Sequence, residues 1–198
     1  MRLVLASLSP RRQEILRGLG FEFEVARPSS EEEILDNPEE TVRRNAVAKV
    51  ESVAKVGDEA VYVGVDTVVY AGGRVLGKPR SEGEAVEMLR LLSGRWHSVY
   101  SGIYLLDASR WRGYFEAVKT DVLFDEIGED EIRWYVSSGE PMDKAGAYGI
   151  QGLASLFIRA IRGCYYNVVG FPVNAFYRGL KALGYRPQDF IRLRRGST

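Results

Sequence analysis

Residues 60–79, AVYVGVDTVVYAGGRVLGKP, constrain the fold more than any other stretch of this chain. They read as an apolar strand, a Gly-Gly turn and a short return strand. The strand is interrupted by Asp66, a carboxylate among apolar residues whose unpaired charge would be costly to bury. Upstream, Leu3–Ala6 is a second apolar run that feeds an amphipathic helix carrying Ile15, Leu16 and Leu19. FEFEV alternates like a strand, and the acidic, proline-punctuated ARPSSEEEILDNPEE reads as an exposed loop. From about Glu39 to Val56, the positions Val42, Ala46, Val50 and Val53 recur at helical spacing, with Gly57 placed to end the element.

Downstream, Ser81 and Glu84 have capping-box spacing and open a helix with Ala85, Val86, Leu89 and Leu92 on one face. WHSVYSGIYLLD and YFEAVKTDVLF predict an antiparallel hairpin with its turn near Ala108 to Arg112. A short helix over about Glu129 to Val136 precedes the glycine-rich SSGEPMDKAGAYGIQG, and a last helix begins at FPVNAFYRGLKALG with Pro172 in its first turn. There is no internal repeat, linker or low-complexity tract. βα units combined with a central hairpin predict an α/β fold, a mixed twisted sheet flanked by helices, with a ligand crevice between layers.

Composition removes several classes of function. Lysine plus arginine equal aspartate plus glutamate at 27 each, so no global field favours a nucleic acid backbone, and the basic end RLRRGST is short. A single cysteine, Cys164, and a single histidine, His97, leave neither a disulfide nor a Cys/His zinc site. The apolar run at the start is too short for a signal peptide, and no stretch approaches the roughly 20 apolar residues of a membrane span. The expectation is a cytoplasmic protein with neither nucleic acid nor membrane as partner.

Ser9 at the cap and Pro10 at the first helical position would leave free N–H groups at the positive end of a helix dipole, with Arg11 and Arg12 in the first turn. Cations placed there oppose the dipole unless an anion, most simply a phosphate, draws on both; the alternative is a plain capped helix with solvated arginines. Asp66 needs a metal, a base partner or a water, or else pairs structurally with a Lys or Arg, while Thr67 points to the other face of a regular strand and packs. Gly72, Gly77 and Lys78 match the spacing of a phosphate-binding P-loop, but Pro79 stands where a hydroxyl is required, so Lys78 remains an isolated cation. Glu31, Glu32 and Glu33 read as solvated loop, with a metal site completed by one of them and Asp66 as the alternative, and Lys49 is solvated unless it faces the same cleft. Gln151 lies among glycines that let the backbone approach a ligand, and its amide suits a base edge. His97 and Cys164, the latter in the β-like IRGCYYNVVG, read as structural.

Taken in order, LASLSPRRQEIL, RRNAVAK, VGVDTVV, LGKP, GEPMDKAGAYGIQG and YYNVVGFP resemble the Maf family of nucleoside triphosphate pyrophosphatases, within the Maf/Ham1 (ITPase-like) superfamily, over nearly the whole chain. The resemblance implies one Maf-like domain over residues 1–198, with an elongated two-lobed fold and a central cleft. It also implies hydrolysis of a nucleoside triphosphate to the monophosphate and diphosphate with a divalent metal, Mg or Mn. By that correspondence Ser7, Arg11 and Arg12 face phosphate, Lys49 and Lys78 form a cationic clamp, Glu32 and Asp66 bind metal, and Asp66 is the proton acceptor. Arg12, Thr67 and Gln151 match the specificity positions of the branch acting on dTTP and UTP, with CTP and modified pyrimidine nucleotides as further substrates, whereas the 7-methyl-GTP branch differs there. Three consecutive glutamates leave open which of them faces the cleft. A homodimer and a nucleotide house-cleaning role are implied on the same footing. The rival reading is a nucleotide-binding regulator of cell division or septum formation without turnover, which Asp66 disfavours because a carboxylate repels triphosphate oxygens unless a metal intervenes.

Overall fold

The computed structural model describes residues 1–191. Its strands are β1 (Arg2–Leu5), β2 (Glu24–Val25), β3 (Ala60–Ala71), β4 (Arg74–Leu76), β5 (Trp96–Asp107), β6 (Arg112–Phe124) and β7 (Ile158–Arg162). Its helices are α1 (Pro10–Gly18), α2 (Pro38–Glu51), α3 (Glu82–Leu92), α4 (Glu129–Ser137), α5 (Tyr165–Val169) and α6 (Val173–Ala182). The strands form one sheet in the order β2-β1-β3-β5-β6-β7, with β4 paired to β3 alone. β1 runs parallel to both β2 and β3, and the remaining pairs are antiparallel, which is the expected mixed sheet.

The long strands β3 and β5 pass through two separate cores. At one end Val61, Val63, Val65, Ile103 and Leu105 pack with Phe171, Phe176 and Leu180. At the other, Val69, Ala71 and Val99 pack with Leu89, Leu92, Tyr135 and Tyr148. Asp66 and Thr67 fall on β3 between these clusters, opposite Gly102 and Ser101 of β5. Polar side chains therefore interrupt these two long strands at one level, and the cleft opens there between two lobes.

Helix α2 lies unusually close to the sheet because glycines face it. A Cβ at Gly64 would stand 2.4 Å from the Ala46 carbonyl oxygen, and one at Gly102 would stand 2.6 Å from that of Val42. With no side chain between helix and strand, the next polar residues of α2 reach β3 directly.

Several local expectations are corrected. α2 ends at Glu51 and not near Val56; Gly57, with φ +81°, turns the chain five positions after Ser52 and donates its N–H to the Ala108 carbonyl. FEFEV contributes only two strand residues and an isolated bridge from Phe21 to Ile191, because Phe21 and Phe23 pack toward the α6 side of the sheet. IRGCYYNVVG is not one strand: β7 ends at Arg162, and Cys164 caps the short helix α5. Pro172 is the N-cap of α6, not a residue of its first turn. At α3 Ser81 Oγ accepts the Glu84 N–H at 3.2 Å, but the Glu84 carboxylate reaches past Ser81 to the Arg80 N–H at 2.6 Å, so only half of a capping box forms. The basic end RLRRGST lies outside the described residues. No described helix is long and apolar enough to cross a membrane.

Candidate active site

A cavity of about 400 Å³ opens between the lobes, lined by the β1–α1 turn, α2, the middle of β3, the acidic loop and the glycine-rich segment. Ser7, Arg11, Arg12, Glu32, Lys49, Asp66, Thr67, Lys78 and Gln151 all line it, so the fold brings together every residue given a site role by the family resemblance.

Lys49 is the centre of charge. It faces the cleft and is buried there, the stated exception to a solvated position, and its Nζ lies 2.6 Å from Asp66 Oδ1 and 2.8 Å from Glu32 Oε1. Asp66 is thus paired, as a structural reading requires, yet the pair faces the cavity. Asn45, one turn before Lys49, donates from Nδ2 to the other Asp66 oxygen at 2.9 Å. Glu32, and not Glu31 or Glu33, turns inward and also meets Lys78 at 3.6 Å, while Glu33 points to Arg44 at 3.8 Å. Burial works against ionisation of Glu32, but the charge and hydrogen bond of Lys49, with Lys78 and Arg12, outweigh it and hold the carboxyl below its ordinary range.

The two arginines of α1 behave differently. Arg12 is tied at all three of its nitrogens: Nε donates to the Gly170 carbonyl at 2.9 Å, Nη1 to Ser7 Oγ at 3.0 Å and Nη2 to Thr67 Oγ1 at 3.4 Å. Burial lowers its pKa against the support of Asp66 and Glu32, and the guanidinium stays protonated. Thr67 does more than pack, because its hydroxyl also lies 2.9 Å from Ser101 Oγ. Arg11 spans the cleft instead, donating to Asp143 at 3.1 Å. Ser9 makes no side-chain cap, and its N–H is 3.3 Å from Ser7 Oγ, so the serine that serves the turn is Ser7.

The wall facing Asp66 is the glycine-rich segment. Gln151 is exposed, in a turn held from behind by Glu140, whose carboxylate accepts from Tyr135 Oη at 2.9 Å and from the Leu153 N–H at 2.8 Å. Tyr148 is buried, 2.8 Å from His97 Nε2. His97 is structural, as expected, and its burial drops its pKa to about 4. Sequence reasoning missed Asn45, Glu140, Asp143 and Tyr148. Asn45 carried a signal, since it precedes Lys49 by four residues on the same helix face; Asp143 carried none.

Among the described residues no three His, Cys, Asp or Glu side chains cluster as a metal cage. Glu32 and Asp66, meeting at Lys49, offer only carboxylate oxygens. That fits magnesium or manganese, which are commonly held by one or two carboxylates together with waters and substrate phosphates.

Comparison with known proteins gives the family. The family model of Maf-like proteins matches residues 2–183. A protein of Syntrophus aciditrophicus named dTTP/UTP pyrophosphatase is 49% identical over 186 residues, spanning 92% of this chain and 90% of its own. Proteins of the same name from Carboxydothermus hydrogenoformans and Thermotoga maritima are 47% and 44% identical, each over 93% of this chain and over 100% and 91% of their own. A solved HAM1 protein from Coxiella burnetii superposes with a TM-score of 0.49 at 16% identity, over 93% of this chain and 98% of its own, below the range that establishes a shared fold. A match over residues 2–183 and relatives near half identical across nine-tenths of the sequence show that the chain belongs to the Maf family.

Proposed function

We propose that the chain is a nucleoside triphosphate pyrophosphatase that hydrolyses dTTP and UTP to the monophosphate and diphosphate. The observation that carries this reading is one cavity lined by Arg11, Arg12, Lys49, Lys78 and Asp66, in a chain nearly half identical to proteins named for that reaction. CTP and modified pyrimidine nucleotides are secondary substrates on this reading. A house-cleaning role follows from the family resemblance, and the single thiol of Cys164 suits a reducing compartment such as the cytosol.

Water attacks the α-phosphorus, the bond from it to the bridging oxygen breaks, and diphosphate leaves. Asp66 orients that water and accepts its proton, with Asn45 and Lys49 fixing both carboxylate oxygens. Arg12 is already held in place, so little reorganisation is needed when it meets phosphate. Arg11 and Lys78, more exposed and each bound to one carboxylate, exchange those partners for phosphate oxygens. Glu32 and Asp66 would hold a divalent cation, which when bound neutralises triphosphate charge. Gln151 reads the pyrimidine edge by hydrogen bonds, assisted by Thr67 and Arg12 at the cavity floor.

The test is product analysis of purified protein with magnesium or manganese against dTTP, UTP, CTP and 7-methyl-GTP, resolving diphosphate from orthophosphate. Diphosphate released chiefly from dTTP and UTP is the expected result. Preference for 7-methyl-GTP would reassign the branch, and tight binding without turnover would favour the regulatory role.

A further inference from the structure

The loop holding Glu31, Glu32 and Glu33 has no strand partner, yet it is paired to α2 as if it had one. Asn45 Oδ1 accepts the Glu33 N–H at 2.9 Å and its Nδ2 donates to the Glu33 carbonyl at 2.9 Å. One helical turn earlier the Thr41 hydroxyl accepts the Leu35 N–H at 3.0 Å, with the Leu35 and Asn37 carbonyls at 3.2 Å and 2.9 Å as acceptors for its proton. Residues four apart share a helix face, and residues two apart share a face of an extended chain. The two rungs therefore fix the backbone of residues 33 and 35 against α2, so that the side chains of residues 32 and 34, two apart, fall on one face. Glu32 and Ile34 do line the cavity. A slip of one residue would exchange the faces and present a different glutamate to Lys49.

We propose that Asn45, with Thr41, is a register clamp that selects Glu32 from three consecutive glutamates and ties it to Asp66. Both side chains are positioning residues. Asn45 is 3% exposed and uses its amide on Glu33 and Asp66 at once, so a single side chain fixes the acidic loop relative to the carboxylate on β3. The inference rests on the proposed function for the use of Glu32 and Asp66, but the clamp itself has a readout that does not need turnover.

The experiment compares Glu31→Gln, Glu32→Gln, Glu33→Gln, Asn45→Ala and Thr41→Val in the full chain. Mn²⁺ alone is titrated and followed by electron paramagnetic resonance, amide exchange of residues 30–36 is followed by NMR, and kcat and KM are measured for dTTP. Of the glutamate variants, only Glu32→Gln weakens Mn²⁺ binding tenfold or more. Asn45→Ala does the same with all three glutamates intact, and speeds exchange of the Glu33 amide at least tenfold; Thr41→Val does so at Leu35 with a smaller loss of Mn²⁺ affinity. Equal losses across the three glutamates, or a folded Asn45→Ala protein with unchanged exchange and affinity, would overturn the clamp. If Asn45→Ala does not fold, Thr41→Val and the glutamate series decide. If the parental protein neither binds Mn²⁺ nor hydrolyses dTTP, the proposed function fails, and exchange at Glu33 and Leu35 alone judges the clamp.

Discussion

The wall of the cleft made by α2 and β3 carries Asn45, Lys49 and Asp66 on regular elements, buried and hydrogen-bonded to one another, whereas residues 140–156 on the facing wall are a series of short 3-10 turns with Gln151 exposed. The difference matches what each wall would do on the proposed function. A carboxylate that handles a proton must be held in a fixed field, which buried partners on a sheet and helix supply. A wall that reads a base needs backbone approach and adjustable hydrogen bonds, which glycine-rich turns supply. The facing wall gains its order from behind, where Tyr148 packs edge-on to His97 and Phe124 with ring centroids at 5.3 Å and 4.7 Å.

Asp66→Asn attacks the rigid wall most directly, and kcat for dTTP should fall about a thousandfold while circular dichroism stays unchanged. Parental turnover in the folded variant would remove Asp66 from the mechanism.

The facing wall breaks through His97 when the solution is acidified. Its folded pKa of about 4 lies below the ordinary 6.5, so between those values the unfolded chain binds a proton that the folded one refuses. Unfolding free energy contributed by this group is full above pH 6.5 and falls on the order of 3 kcal/mol by pH 4. Urea melts across that window should show the loss, and His97→Gln should flatten it.

Gly64→Ala tests the close approach behind the rigid wall, because its Cβ would meet the backbone oxygen of Ala46. Displacing α2 should cost about 2 kcal/mol in denaturant unfolding and lower activity along with stability. A fully active, equally stable variant would mean that the helix has room to shift.

Gln151→Ala should do least. Stability is expected to hold, since the side chain is exposed, while the ratio of kcat/KM for dTTP over CTP shifts about tenfold. An unchanged ratio would move base reading away from this wall.

Alternation and apolar runs were enough to read β3, the β5–β6 hairpin and the helices α3 and α4, because burial of one face leaves a period in the sequence. They failed at FEFEV, where two aromatic residues alternate for a core without extending a ladder, and at IRGCYYNVVG, where β-prone residues continue into a helix. Gln151 and most charged residues of the site were legible through an ordered set of motifs that resemble a family, whereas Asp143, given no role by that correspondence, was not.

From residues alone came the strands, the charge types and the order of the motifs. Partnerships came only with folding: Lys49 buried between Asp66 and Glu32, Arg12 held by Ser7, Thr67 and Gly170, Arg11 reaching Asp143 across 132 positions, and Glu32 chosen over its neighbours. The reason is physical. A period in the chain reports that a face is buried, but what that face meets depends on sheet order and on how closely α2 can settle over Gly64 and Gly102.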